Sequence, residues 1–165
     1  MSAGARLART SDVDDLVAIQ MRAWTAYGDL LPPLDAEELA AAWGDAIVRP
    51  PSPMHRVLVA VDGPDVVGYA AIAPADDAVG EVLDLVVDPA HVGHGHGSRL
   101  MAACIDHLRE AGLTTAVTWL LADDEVRRRF FTSAGWGPDG ASRTLGDGVR
   151  EVRQVRLVTA FGDVH

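Results

Sequence analysis

The sequence predicts an α/β domain of the α+β kind: one mixed, mostly antiparallel central sheet of about seven strands flanked by about four helices. Three observations point there. Short β-branched apolar runs alternate with segments of helical period. Some of those runs are joined by tight turns, whereas helices separate the others. The length of 165 residues suits one domain with one substantial core, so residues 1–165 are read as a single unit.

The elements follow in order. Arg6 to Arg9 reads as a short strand, and Thr10-Ser11-Asp12 is a helix N-cap signal. Leu16, Ile19, Ala23 and Tyr27 then recur at helical spacing until Gly28. Pro32-Pro33 breaks the chain, and Asp35 caps a second helix through Leu39 and Trp43. Val57 to Val61 and Val66 to Ile72 form a hairpin around Asp62-Gly63-Pro64-Asp65. Val82 to Val87 is a further strand, ended by Asp88-Pro89. Ser98 to Ala111 is a helix with Leu100, Met101, Cys104, Ile105 and Leu108 inward, stopped by Gly112. Thr114 to Leu121 is a strand and Asp123 to Ala134 a helix capped by Asp123 or Asp124. A last pair of strands follows Gly135-Trp136, the second spanning Val149 to Val158.

Composition narrows the function. Hydrophobic residues make up 48% and charged residues 23%, a globular balance. With 14 basic against 24 acidic residues the net charge is -10, which argues against nucleic acid as a partner. An acidic surface would suit a cationic acceptor such as an amine. Cys104 is the only cysteine, so no internal disulfide forms and a cytoplasmic location is expected. MSAGARLART has no apolar core of a leader, and no window reaches the length of a membrane-spanning helix. No membrane partner is expected.

Chemistry concentrates in Leu83-Asp84-Leu85-Val86-Val87-Asp88-Pro89-Ala90-His91-Val92-Gly93-His94-Gly95-His96-Gly97-Ser98-Arg99-Leu100. A strand runs into three alternating glycines that open onto an amphipathic helix. Glycines let the backbone turn tightly, and the helix start adds about half a positive charge, so the segment suits a pyrophosphate. A P-loop would end in Gly-Lys-Ser/Thr, and Gly97-Ser98-Arg99 does not. A dinucleotide fingerprint spaces its glycines G-x-G-x-x-G, and Gly93, Gly95 and Gly97 do not.

The segment closely resembles the central motif of the GNAT superfamily of N-acetyltransferases, in which an apolar strand and a Pro precede Gln/Arg-x-x-Gly-x-Gly/Ala at a helix start. Phe130-Phe131-Thr132-Ser133-Ala134-Gly135-Trp136 looks like the family's second signature, about 40 residues further on. The element order also agrees with that fold.

The resemblance implies acetyl-CoA as acyl donor and direct transfer to a primary amine on a small molecule or peptide. It implies cofactor contacts from Leu85, Val86 and Val87 on the strand, from Val92, Gly93, His94, Gly95, His96, Gly97 and Ser98 on the loop, and from Asp124 and Phe131. A main-chain donor near Leu85 would polarise the thioester carbonyl. Glu81 falls where some members carry a general base. Asp84, on the opposite face of the strand by simple alternation, is the second candidate. Trp24 and Tyr27, with the Pro32-Pro33 turn, lie where the acceptor pocket is shaped, although Trp24 also suits the core.

Two departures from the family pattern stand out. Val92 replaces a usual Gln or Arg, which removes a side-chain contact to pyrophosphate and weakens binding. Phe131 replaces a frequent Tyr and has no proton to give a departing thiolate. Both keep a second reading open, a non-catalytic domain that binds or senses acyl-CoA.

Other residues take structural readings. His91, His94 and His96 are expected to face solvent from the loop, with no metal. Asp124 is expected to cap its helix, and Trp119, Phe130 and Trp136 to pack in the core. Cys104 is buried and no nucleophile, and His55 has no evident partner. A homodimer is the base-rate expectation for assembly.

Overall fold

The computed structural model describes residues 3–30, 33–146, 148–149 and 151–161. Pro32, half of the expected Pro32-Pro33 break, and Arg150, within the expected last strand, lie outside the described residues.

The elements are β1 (Ala3–Leu7), α1 (Val13–Trp24), α2 (Ala36–Val48), β2 (Arg56–Asp62), β3 (Asp65–Asp76), β4 (Val79–Val87), α3 (His96–Glu110), β5 (Thr115–Leu121), α4 (Glu125–Ser133), β6 (Gly137–Gly146) and β7 (Glu151–Ala160). Short 3-10 turns occupy Thr10–Asp12, Thr25–Leu30 and Pro89–His91. The strands form one seven-stranded sheet in the order β1-β2-β3-β4-β5-β7-β6. Every neighbouring pair is antiparallel except β4 with β5, which the α3 crossover makes parallel.

Both faces of the sheet are covered. On one, Leu100, Met101, Cys104 and Leu108 of α3 and Phe131 of α4 pack against Leu58, Val67, Val82, Leu85, Ala116 and Leu120. On the other, Leu16 and Ile19 of α1 meet Val57, Val59, Tyr69 and Val86. Burial of apolar side chains on both faces is what makes the central strands read as continuous apolar runs.

Local chemistry fixes the ends. Asp35 accepts from the Glu37 and Glu38 N–H groups and starts α2 as expected. Gly112 sits at φ +86° just past α3. The expected cap at Asp12 takes a different form. Its buried carboxylate receives Arg6 at 2.8 and 3.0 Å and the Arg9 N–H at 2.7 Å, and makes no cap bond to α1. The first strand accordingly ends at Leu7, and Arg9 belongs to the turn.

The β3–β4 hairpin is longer than the apolar runs suggest. It closes at Asp77-Ala78, with Ala78 at φ +60°, a left-handed turn made without glycine. Its ladder slips between Ala71 and Ile72, which pair with Asp84 and Val82, so Leu83 is an extra residue on β4. That bulge determines the face on which Asp84 stands.

Candidate active site

The site begins where β4 and β5 separate. Their parallel ladder runs only from Val79↔Thr115 to Glu81↔Val117. At its end the buried Thr118 hydroxyl donates to the Val82 carbonyl at 2.8 Å. Beyond that point β4 pairs only with β3, and its other edge faces a cleft of about 1010 Å³. Leu85, Val86 and Val87 line one wall, Asp124, Phe130 and Phe131 of the α4 region another, and the glycine loop the mouth.

The loop is shaped by its glycines. Gly93 and Gly95 sit at φ +85° and +81°, where any other L residue is strained. Gly95 is the N-cap of α3, and no side chain caps the first-turn N–H groups. At Gly97 a Cβ would stand 3.0 Å from Phe130 Cε1, so the glycine lets the α4 aromatic close on the helix start without the ring having to give. Behind the loop, Arg22 of α1 grips the buried Asp88 carboxylate at 3.2 and 2.7 Å, and Asp88 also accepts the Ala90 N–H at 3.2 Å.

The three histidines differ from one another. His94 is exposed and is absent from the cleft lining. His91 lies with Nδ1 3.5 Å from Asp88. Contrary to the outward orientation expected of it, His96 is only 2% exposed, because the first turn of α3 presses it against the protein. Its Nδ1 is 2.9 Å from Arg99 Nη2, and its buried Nε2 has no hydrogen-bond partner. Burial pushes the imidazole below its ordinary pKa, and the Arg99 charge pushes it further. Among the described residues no group of three or more His, Cys, Asp or Glu is placed to hold a metal.

A second cavity, of about 480 Å³, opens on the α1 side of the sheet. Trp24, Tyr27, Tyr69, Asp84 and Trp119 line it. It meets the cleft at a neck formed by Ala23, Tyr27, Val86, Leu121, Asp124 and Arg127, which line both. At the neck the Tyr27 hydroxyl donates to Asp124 at 2.9 Å, while Asp124 caps α4 by accepting the Arg127 N–H at 3.1 Å. Burial, then the Asp124 hydrogen bond, pushes the Tyr27 phenol up to about 12. Asp84 accepts from the Tyr69 hydroxyl at 3.3 Å and from Arg127 Nη2 at 3.4 Å. Burial and the Asp84 charge push the Tyr69 phenol higher still, so both phenols keep their protons.

The two candidate bases do not stand on opposite faces. Val82 and Leu85, three residues apart, pack into the same core, so the bulge at Leu83 has shifted the alternation by one. Glu81 and Asp84 therefore share the α1 face. Asp84 lines the second cavity, whereas Glu81 lines neither cavity. Glu81 is half-buried, and burial raises its pKa against the opposing charges of Arg143 and Arg156.

The remaining candidates fall as follows. Val92 is 61% exposed at the cleft mouth, beside Gly93, Gly95, His96, Gly97 and Ser98. Phe131 is 1% exposed, with its ring edge-on to Trp136 at 5.1 Å, and Phe130 lines the cleft beside it. Trp119, expected in the core, is half-buried with the Arg143 guanidinium 4.2 Å from its ring centre. Cys104 is fully buried, which pushes its thiol up to about 12. His55 does have a partner, Ser52 Oγ at 2.7 Å from Nδ1. Tyr69 and Arg127 were not legible as site residues. A tyrosine inside an apolar hairpin and an arginine on an exposed-looking helix carry no signal until the fold joins them at Asp84.

A sheet parted after one short parallel pairing, with a glycine-bounded helix start at its mouth and two cavities meeting at a neck, has the layout of an acetyltransferase domain. The chain belongs to the acetyltransferase (GNAT) family, whose sequence profile matches residues 13–136. It is 31% identical over 149 residues to a mycothiol acetyltransferase of Streptomyces scabiei (strain 87.22), covering 86% of this chain and 42% of that protein. It is 33% identical over 129 residues to a mycothiol acetyltransferase of Sanguibacter keddieii, covering 73% and 38%. The chain thus spans about two-fifths of the length of these curated relatives.

Among solved structures, an N-acetyltransferase from Staphylococcus aureus Mu50 superposes with a TM-score of 0.78 at 18% identity, over 98% of this chain and 99% of that one. The PaiA N-acetyltransferase from Thermoplasma acidophilum, solved in complex with coenzyme A, gives 0.76 at 17% identity, over 98% and 100%. These two likenesses are likenesses of fold. Among the described residues no helix is long and apolar enough to cross a membrane.

Proposed function

We propose that the chain is an acyl-CoA-dependent N-acyltransferase that carries acetyl from acetyl-CoA directly to a primary amine. One observation carries this reading. The cleft beside the unpaired edge of β4 joins, at the Tyr27–Asp124 neck, a second cavity that presents the Asp84 carboxylate. A donor and an acceptor approaching from the two sides of the sheet would meet there.

The residues present fit acetyl-CoA. The uncapped first turn of α3 and the left-handed Gly93 and Gly95 suit a pyrophosphate, and the free β4 edge suits an extended pantetheine arm. When bound, acetyl-CoA supplies an acyl group activated as a thioester. The chain's own residues supply the rest. Asp84 receives the proton the amine must lose, and Tyr69 and Arg127 hold its carboxylate in place. The Leu85 N–H, expected to polarise the acyl carbonyl, donates to Asp84 Oδ1 at 3.0 Å, so that role requires Asp84 to release it. Phe131 offers no proton, and a thiol of ordinary pKa about 8.5 departs unassisted.

The experiment is a calorimetric titration with acetyl-CoA, CoA and NADH, followed by amine-dependent CoA release. Saturable binding of acetyl-CoA but not NADH, with turnover of an amine, is expected. No acetyl-CoA binding at millimolar concentration overturns the reading. Tight binding with no amine acetylated favours the alternative of a sensing domain, which Phe131 and the exposed Val92 motivate.

A further inference from the structure

The acceptor cavity does not end at Asp84. A third hollow, of about 320 Å³, lies between α2 and the sheet, and Gln20 and Leu83 line both spaces. Leu83 is the residue that the bulge adds to β4, and it is 51% exposed in spite of its large aliphatic side chain. It borders both spaces, a position in which a ligand reaching from one to the other would cover it.

The chemistry changes from one end to the other. Near the neck the charged lining is Asp84 and Asp124 against Arg127, one more carboxylate than guanidinium, among the aromatic walls of Trp24, Tyr27 and Trp119. That combination attracts an ammonium group. The third hollow is walled by Leu39, Trp43, Ala46, Val57, Ile72 and Leu83. Its ionisable residues, His55 and Arg56, bond to the loop at Ser52 Oγ and to the Pro53 carbonyl, at 2.7 and 2.8 Å. Among the described residues no carboxylate lines it, and the Arg56 charge opposes a second ammonium.

We infer that the acceptor is an amphipathic primary monoamine, its ammonium end at Asp84 and its alkyl or arylalkyl body running past Leu83 into the hollow beneath α2. The inference rests on the proposed N-acyltransferase reading and narrows its acceptor. The transfer itself is unchanged and balances: the ammonium gives one proton to Asp84 and becomes the nucleophile, the nitrogen gains the acetyl carbon as the C–S bond breaks, CoA leaves as the thiolate, and the second nitrogen proton passes to that thiolate or to water. Polyamines lack the apolar body, and amino acids bring a carboxylate towards Asp84 and Asp124.

The test compares kcat/KM for ethylamine through octylamine, phenethylamine, putrescine and phenylalanine. For the n-alkylamines it is expected to rise about fourfold per methylene until the hollow is filled. Ala42 lines the hollow from the exposed side of α2, so Ala42→Phe fills space without disturbing the core. That variant is expected to lower octylamine kcat/KM at least about tenfold and leave ethylamine unchanged. A flat chain-length profile, or a preference for putrescine or phenylalanine, overturns the inference.

A binding arm separates its failure from that of the enzyme reading. Hexyltrimethylammonium cannot be acetylated, and its binding is followed by the fluorescence of the protein's tryptophans. Binding that is tighter than that of tetramethylammonium and weakened by Ala42→Phe supports the hollow as an apolar subsite even if no amine turns over. Equal affinity for the two cations overturns it even if acetylation occurs.

Discussion

The Thr118 hydroxyl donates to the Val82 carbonyl across 2.8 Å, one residue beyond the last paired position of β4 and β5. A carbonyl at the point of a strand separation has lost its ladder partner, and here it is buried away from water. The side chain replaces the missing backbone donor and marks the inner end of the cleft. Thr118→Val keeps the shape and removes the donor. It is expected to destabilise the fold by about 1–3 kcal/mol in urea unfolding, with Thr118→Ser losing less.

Asp84, and not Glu81, lines the second cavity, where the proposed reading places the amine. Asp84→Asn is expected to lower kcat/KM for an amine by about 10²–10⁴ without loss of acetyl-CoA binding. Glu81→Gln is expected to stay within a few-fold of the parent. CoA release followed across pH measures both, and a larger loss for Glu81→Gln than for Asp84→Asn reverses the assignment.

Gly97 is set by its neighbour Phe130. An added Cβ meets the ring at 3.0 and 3.2 Å and Val87 Cγ2 at 3.6 Å. Gly97→Ala is expected to cost about 1–3 kcal/mol of stability by crowding. Phe130→Leu in the same chain should restore most of that, a coupling that a double-mutant cycle reads directly. Additive losses would show that the ring is not the obstacle.

Two buried carboxylates tie stability to acid pH. Arg6 holds Asp12 below the ordinary carboxylate range against the opposing effect of burial. Burial alone would raise Asp88, but Arg22 and the Ala90 N–H outweigh it and hold it low as well. Unfolded aspartates titrate near about 3.9, so both contributions are complete above that pH. They fade as pH falls through the lower folded-state values. Asp12→Asn and Asp88→Asn are expected to be less stable at neutral pH and to lose less on acidification, as chemical denaturation at stepped pH would show.

His96 acts in a higher window. Its folded pKa lies below the unfolded value of about 6.5, so the unfolded chain takes up the proton first as pH falls. Stability is full above that value and declines until the folded value is reached. His96→Leu is expected to abolish this decline. An unchanged pH dependence in the variant would place its origin elsewhere.

The element order was legible because apolar period changes with element type, and Asp35 and Asp124 cap their helices as residue type suggests. The glycine loop was legible because positive φ demands glycine at Gly93 and Gly95. Relationships that depend on a partner strand were not. In a regular strand Glu81 and Asp84, three residues apart, would stand on opposite faces, and only pairing with β3 exposes the extra Leu83 that turns Asp84 to the α1 face. Pro74, Asp76 and Asp77 hide the far end of the hairpin, whose turn at Ala78 lacks the usual glycine. His96 reads as a solvated loop residue because its type is polar, yet its place in the first turn of α3 decides its burial.

The single extra residue in β4 also limits how the protein can vary. Deleting Leu83 would close the slip between Ala71 and Ile72 and so remove the phase shift within β4. The glycine loop and the strand end that feeds it would then be out of step with the half of the sheet that carries Glu81. Insertions and deletions in a lineage of such chains should therefore collect in the loops and spare this position.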